Sequence, residues 1–374
     1  MQMRKLGSTV VVSSIGLGCM GMTSNDGPLA DRQAMMALPG RGAGMVNDLR
    51  RTEAAAAGHL SPNARLSELL DHPAFAGFAP LVLPWDGRTY DGDTPLRRMG
   101  ELLPYHSEVR SDDMLAALNH MIDEVGAGRP VFHDFYSEAQ KREQPSRRFA
   151  GLFLFRGRPG APFAVIAPGG GFSYVGSVHE GFPHALEISK RGYNALVLKY
   201  RAGQGGEAAT EDLAMALSWI FRNAQTLELD TAGYSLWGSS AGARMVASVG
   251  THGVARFGVA ELPKPSIVVM AYTGHCDHAR TDPPTFVVVG DRDGIAPPAR
   301  MAQRVEALRR LGVPVEFHVF RAVGHGFGLG TGTSAQGWVA EAIRFWQDKG
   351  LRTRWRVPAA ETPVRAASTA IIHP

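Results

Sequence analysis

The sequence predicts an α/β fold, a mostly parallel central sheet covered by helices on both faces. Three observations predict it. Seven short, near-continuous apolar runs lie between residues 151 and 321 and read as strands. Amphipathic, helix-forming runs alternate with them; strands this apolar have helices packed on both sides. Finally, one strand passes straight into a helix through Gly238-Ser239-Ser240-Ala241-Gly242, the spacing Gly-x-Ser-x-Gly.

Taken along the chain, residues 1–60 read as an arm or linker, with 23–60 rich in Gly, Ala and Met and nearly aperiodic. Residues 61–350 read as the folded domain, of which 61–148 form a cap or brace and 149–350 the core. The cap or brace contains a short helix over Leu66–Leu70, a turn at Asp91-Gly92-Asp93 and an amphipathic helix over Asp112–Val125. In the latter, Met114, Leu115, Leu118, Met121, Ile122 and Val125 recur near helical spacing and mark a core-facing stripe. Strands are expected at 151–155, 163–167, 194–200, 233–237, 266–271, 285–290 and 315–321. Helices are expected at 183–191, 208–223, 241–249, 298–311 and 335–349. Residues 351–374 read as a tail without catalytic content.

The bulk properties narrow the function classes. The 374 residues are 44% hydrophobic and 20% charged, ordinary for a globular chain holding one large domain and appendages. A net charge of +4 with scattered arginines and no basic cluster argues against nucleic acid as partner. No apolar run is long enough to span a membrane. Cys19 and Cys276 are far apart and make no disulfide framework, so a reducing, cytoplasmic compartment is the expectation. His275-Cys276-Asp277-His278 is a poor metal site, because adjacent ligand-type residues rarely converge on one ion. No metal or organic cofactor is expected, and the partner expected is a small molecule; a homo-oligomer is left open.

The chemistry concentrates at three strand ends, where sheets of this type carry their sites. Ser240 sits on the sharp strand-to-helix turn, with small residues two positions to either side letting the backbone pass. A serine hydroxyl needs a base held by a carboxylate. His325, between glycines just past the last strand, is the base candidate; His179, His184 and His318 have weaker claims. The acid is Asp293 or Asp291, in the loop after strand 285–290. Asp293 is preferred because the loop has turned by then, whereas Asp291 stays at the strand end. After strand 163–167 comes Pro168-Gly169-Gly170-Gly171-Phe172. There the N–H groups of Gly170 and Gly171, with that of Ala241 at the helix N-terminus, are candidates for an oxyanion hole. Without Gly-x-Gly-x-x-Gly or a Walker lysine, a phosphate cradle is disfavoured. Phe172, Tyr174 and Phe327 are candidates to line a substrate pocket.

On these motifs, residues 66–349 resemble bacterial α/β-hydrolases of the esterase/lipase group with a Gly-Gly-Gly oxyanion motif. Dienelactone-hydrolase-like and feruloyl- or acetylxylan-esterase-like proteins are similar. Pro168 stands where a His-Gly-Gly-Gly motif has histidine, and Ser240 where dienelactone hydrolases have cysteine. The resemblance implies an α/β-hydrolase fold and a serine carboxyl-ester hydrolase acting through an acyl-enzyme. Short-chain, acetylated or feruloylated carbohydrate esters are the expected substrates. The rivals are a serine peptidase of prolyl-oligopeptidase type and a non-catalytic binding protein on the same fold. Residues 1–22, with Arg4-Lys5-Leu6-Gly7 and Gly16-Leu17-Gly18-Cys19-Met20-Gly21, resemble the start of an aldo-keto reductase, but no barrel follows.

Overall fold

Strand formation here follows burial. In a computed structural model, which describes residues 3–6, 10–13 and 58–351, eight strands form one sheet. They are β3 (Phe132–His133), β4 (Gly151–Phe155), β5 (Pro162–Ala167), β6 (Asn194–Lys199), β7 (Asp230–Ser239), β8 (Ile267–Ala271), β9 (Thr285–Gly290) and β10 (Val315–Phe320). A separate antiparallel hairpin, β1 (Met3–Leu6) and β2 (Val10–Ser13), pairs Met3 with Ser13. The strands β4, β5, β6, β8 and β9 are buried along their whole length, as their largely apolar sequences require, with polar residues only at strand ends (Asn194, Lys199, Thr285). At the open edge, β10 instead alternates more and less exposed residues, and its sequence carries Glu316 and His318.

The helices are α1 (Leu66–Leu70), α2 (Ala79–Val82), α3 (Ser111–Gly126), α4 (Glu138–Glu143), α5 (Phe182–Lys190), α6 (Gly205–Asn223), α7 (Ala241–His252), α8 (Pro298–Arg310) and α9 (Trp338–Lys349). Strand order across the sheet is β10-β9-β8-β7-β5-β6-β4-β3, with β10 through β6 parallel and β4 antiparallel to both its neighbours, β6 and β3. The chain moves outward from β5 to β6 and then crosses back to β7. Right-handed crossovers therefore place α5 on one face and α6 and α7 on the other. Contacts agree: α3 and α9 pack on α5, while α6 packs on α7. This is the α/β-hydrolase fold that the sequence predicts.

The crossover reversal positions the site. The loops after β5 and β7 leave the sheet side by side, since Ala167 pairs with Gly238 at the ends of the two strands. Segment 58–148 braces the fold: β3 extends the sheet edge beside β4, and α3 lies against α5. Its apolar residues, from Leu60 to Tyr136, join the same core as those of the sheet.

Candidate active site

The turn at Ser240 is strained in the way its sequence foretold. Ser240 has φ +50° and ψ −112°, and its N–H donates to the Ala271 carbonyl at 2.8 Å. A Cβ on Gly242 would fall 1.8 Å from the Ala167 carbonyl oxygen, so only glycine fits where α7 leaves β7. The helix then begins at Ala241, immediately behind the half-buried hydroxyl.

Two further loops converge on it. His325 Nε2 stands 2.9 Å from Ser240 Oγ, and its Nδ1 stands 2.8 Å from Asp293 Oδ2 and 3.0 Å from Oδ1. Asp293 is buried and also accepts the N–H groups of Ile295 at 2.9 Å and Ala296 at 2.7 Å. With a carboxylate on one side, Nδ1 carries the proton and Nε2 is free to accept from the serine. Of the two aspartates, the structure brings Asp293 to the histidine. Asp291 is exposed and accepts the Ala322 N–H at 2.6 Å, closing the loop that carries His325.

The glycine loop lies against the serine: a Cβ on Gly169 would fall 2.9 Å from Ser240 Cβ. Gly170 has φ +132°, and a Cβ there would fall 2.1 Å from the Tyr174 carbonyl oxygen. Its own carbonyl accepts from Ser173 and Tyr174, which folds the loop back on itself. Gly169 N–H donates to Glu180. Among the described residues, the N–H groups of Gly170, Gly171 and Ala241 have no protein acceptor. The positive end of α7 lies behind that of Ala241.

Two of the pocket assignments need correction. Tyr174 is fully buried between Trp85, Tyr105 and His106, its hydroxyl bonded to His106 Nδ1 at 2.8 Å. Phe327 is fully buried among Tyr272, Phe320 and Trp338. Neither offers surface to a ligand; closeness in sequence to a site loop placed both in the core beneath it. Phe172 remains half exposed, with φ +61°, and Tyr105 is the half-exposed aromatic that sequence reading missed. The Tyr105 ring lies over Gly171, within 3.1 Å of where a Cβ would stand.

The other histidines have structural work. His179 Nε2–H donates to the Gly326 carbonyl at 2.8 Å, beneath the His325 loop. His184 packs edge-on to Trp338, and His318 lies on the exposed edge strand near Glu316 and Glu341. Cys276, read as one of two separate thiols, is disulfide-bonded. Among the described residues, no group of three or more His, Cys, Asp or Glu side chains is placed to hold a metal ion. No helix among them is long and apolar enough to cross a membrane.

Sequence models of two families match in succession, BD-FAE over residues 156–261 and the prolyl oligopeptidase family over residues 268–350. Endo-1,4-beta-xylanase B of Butyrivibrio fibrisolvens is 26% identical over 234 residues, 52% of this chain and 36% of that protein. The chain thus spans about a third of the length of the curated relative it matches. Among solved structures, the acetyl ester-xyloside bifunctional hydrolase of Caldicellulosiruptor lactoaceticus aligns with a TM-score of 0.50 at 20% identity, covering 58% of this chain and 95% of that one. A carboxylesterase of Lactobacillus plantarum aligns at 0.47 and 21% identity, covering 54% and 92% of the two chains.

Proposed function

We propose that this protein is a serine carboxyl-ester hydrolase that works through an acyl-enzyme. The observation that carries the reading is the continuous Ser240–His325–Asp293 chain, 2.9 Å and 2.8 Å between its polar atoms, on a backbone held at positive φ. Ser240 Oγ attacks the ester carbonyl carbon while its proton passes to His325 Nε2. Asp293 fixes the tautomer and stabilises the imidazolium. The oxyanion takes hydrogen bonds from Gly170, Gly171 and Ala241, each worth about 3 kcal/mol of barrier in comparable sites. As the C–O bond breaks, His325 returns the proton to the departing alkoxide. A water molecule then repeats the sequence on the acyl-enzyme and releases the acid.

The names of the similar proteins, a xylanase and an acetyl ester-xyloside hydrolase, favour acylated carbohydrate or short-chain esters as substrates. Half-exposed Tyr105 and Phe172 beside the glycine loop suit a sugar or aromatic face. The prolyl-oligopeptidase match over residues 268–350 favours a second reading, peptide hydrolysis by the same groups.

A panel of p-nitrophenyl esters from acetate to palmitate, assayed beside p-nitroanilide peptides, separates the two. Ester turnover that falls by about 10⁴-fold or more in Ser240→Ala is the expected result. Turnover of anilides alone would favour the peptidase. A folded wild type that turns over neither substrate, and whose Ser240 resists a fluorophosphonate, would favour a binding protein.

A further inference from the structure

Beneath the glycine loop lies a second polar chain that the ester chemistry does not itself use. Glu180, on the turn preceding α5, is fully buried. Its Oε2 accepts the Gly169 N–H at 2.7 Å, and its Oε1 stands 3.1 Å from His106 Nε2. His106 comes from the brace segment and its side chain is equally buried. Its Nδ1 is 2.8 Å from the Tyr174 hydroxyl, which in turn accepts the Tyr105 N–H at 3.1 Å. The contacts converge on Glu180 from two sides. Tyr105 N–H donates to the Tyr174 oxygen and Tyr174 O–H to His106 Nδ1, which leaves the imidazole proton on Nε2, 3.1 Å from Glu180 Oε1; Gly169 N–H donates to Glu180 Oε2.

We infer that Glu180, oriented by His106, is the positioning residue of the oxyanion loop. The reasoning is geometric. Gly169 is a strained loop's first glycine, packed on Ser240, and Glu180 holds its N–H away from the site. That hydrogen bond fixes the peptide planes that follow, and so aims the N–H groups of Gly170 and Gly171 outward. A loop with three successive glycines has no side-chain barrier to choose this conformation unaided. Burial alone would push the Glu180 carboxyl up, but His106 and His179 beside it hold it well below the usual carboxylate range. The acceptor is therefore a carboxylate, whose hydrogen bond to a backbone N–H is stronger than a neutral one.

This inference rests on the esterase reading, and the test keeps the two apart. Wild type, Glu180→Gln and Glu180→Leu are compared for kcat and KM on the best p-nitrophenyl ester. Glutamine keeps an oxygen for Gly169 and should lose only a few fold in kcat. Leucine removes the acceptor and should lose about 100-fold in kcat with KM nearly unchanged, the signature of a group felt in the transition state. Where Glu180→Leu fails to fold, Glu180→Asp replaces it; the shorter carboxylate should cost about tenfold in kcat and be unable to reach both partners. A folded Glu180→Leu within threefold of wild type overturns the inference. So does a loss in KM alone, or an equal loss in leucine and glutamine variants. Absence of ester turnover in the wild type would instead overturn the esterase reading.

Discussion

Asp293 satisfies three donors at once, His325 Nδ1–H and the N–H groups of Ile295 and Ala296. Its carboxylate is thus fixed before substrate arrives, and its charge is what selects the Nδ1–H tautomer. Asn in its place would present an amide N–H toward the imidazole and favour the wrong one. Asp293→Asn should lower kcat by about 10³- to 10⁴-fold, whereas Asp291→Asn, on the exposed loop, should stay within about threefold. Equal losses in the same ester assay would reverse the assignment. From sequence the two aspartates differed only in distance from the strand end, and Asp293 was preferred because a loop must turn before its side chains reach a neighbour. Glu180 and His106 gave no such signal. Their partners, Gly169 and Tyr174, lie 11 and 68 residues away with no motif between.

The elements around the site are fastened by buried charge as well as by packing. Lys199 closes β6, is fully buried, and bonds the carbonyls of Leu83 and Pro84 at 3.0 Å each and Asp86 Oδ1 at 2.9 Å. Asp86 also accepts the Ala202 N–H at 3.1 Å. One ammonium therefore ties the loop after α2 to the loop after β6. Lys199→Met strands Asp86 and two carbonyls, and should lower stability by about 3–5 kcal/mol in urea unfolding. A loss under 1 kcal/mol would mean that the loop is held by its apolar contacts alone. Strands of this sheet were legible because burial on both faces demands unbroken apolar runs. The two-residue β3 and the polar α4 were not, being too short to show a period; tertiary contact makes them. For the same reason the role of segment 58–148 stayed open between cap and brace: α3 announced a buried stripe, but not which surface it covers.

At the scale of the whole molecule, buried histidines set the response to acid. Burial lowers His133 and His179 from the ordinary 6.5 to about 4, and His275 to about 3, with nearby cations adding to the effect at His133 and His275. The unfolded chain takes up these protons near pH 6.5, while the folded chain refuses them until about pH 4. Stability is thus full above pH 6.5 and is lost as pH falls through that window. Each group contributes about 1.4 kcal/mol per pH unit. The urea midpoint should drop markedly between pH 7 and pH 5; a midpoint independent of pH there would mean that these imidazoles are accessible to protons in the folded state.

Ser107 donates its Oγ–H to the His325 carbonyl at 2.7 Å across 218 residues of chain. The bond has a kinetic meaning. The loop that presents the imidazole comes late in the chain, while the residue that steadies it comes early. Loop closures of this span are among the slow events of folding. A nascent chain therefore cannot make this bond until the His325 loop has followed Ser107 out of the ribosome, 218 residues later, or about 10–40 s at about 5–20 residues per second.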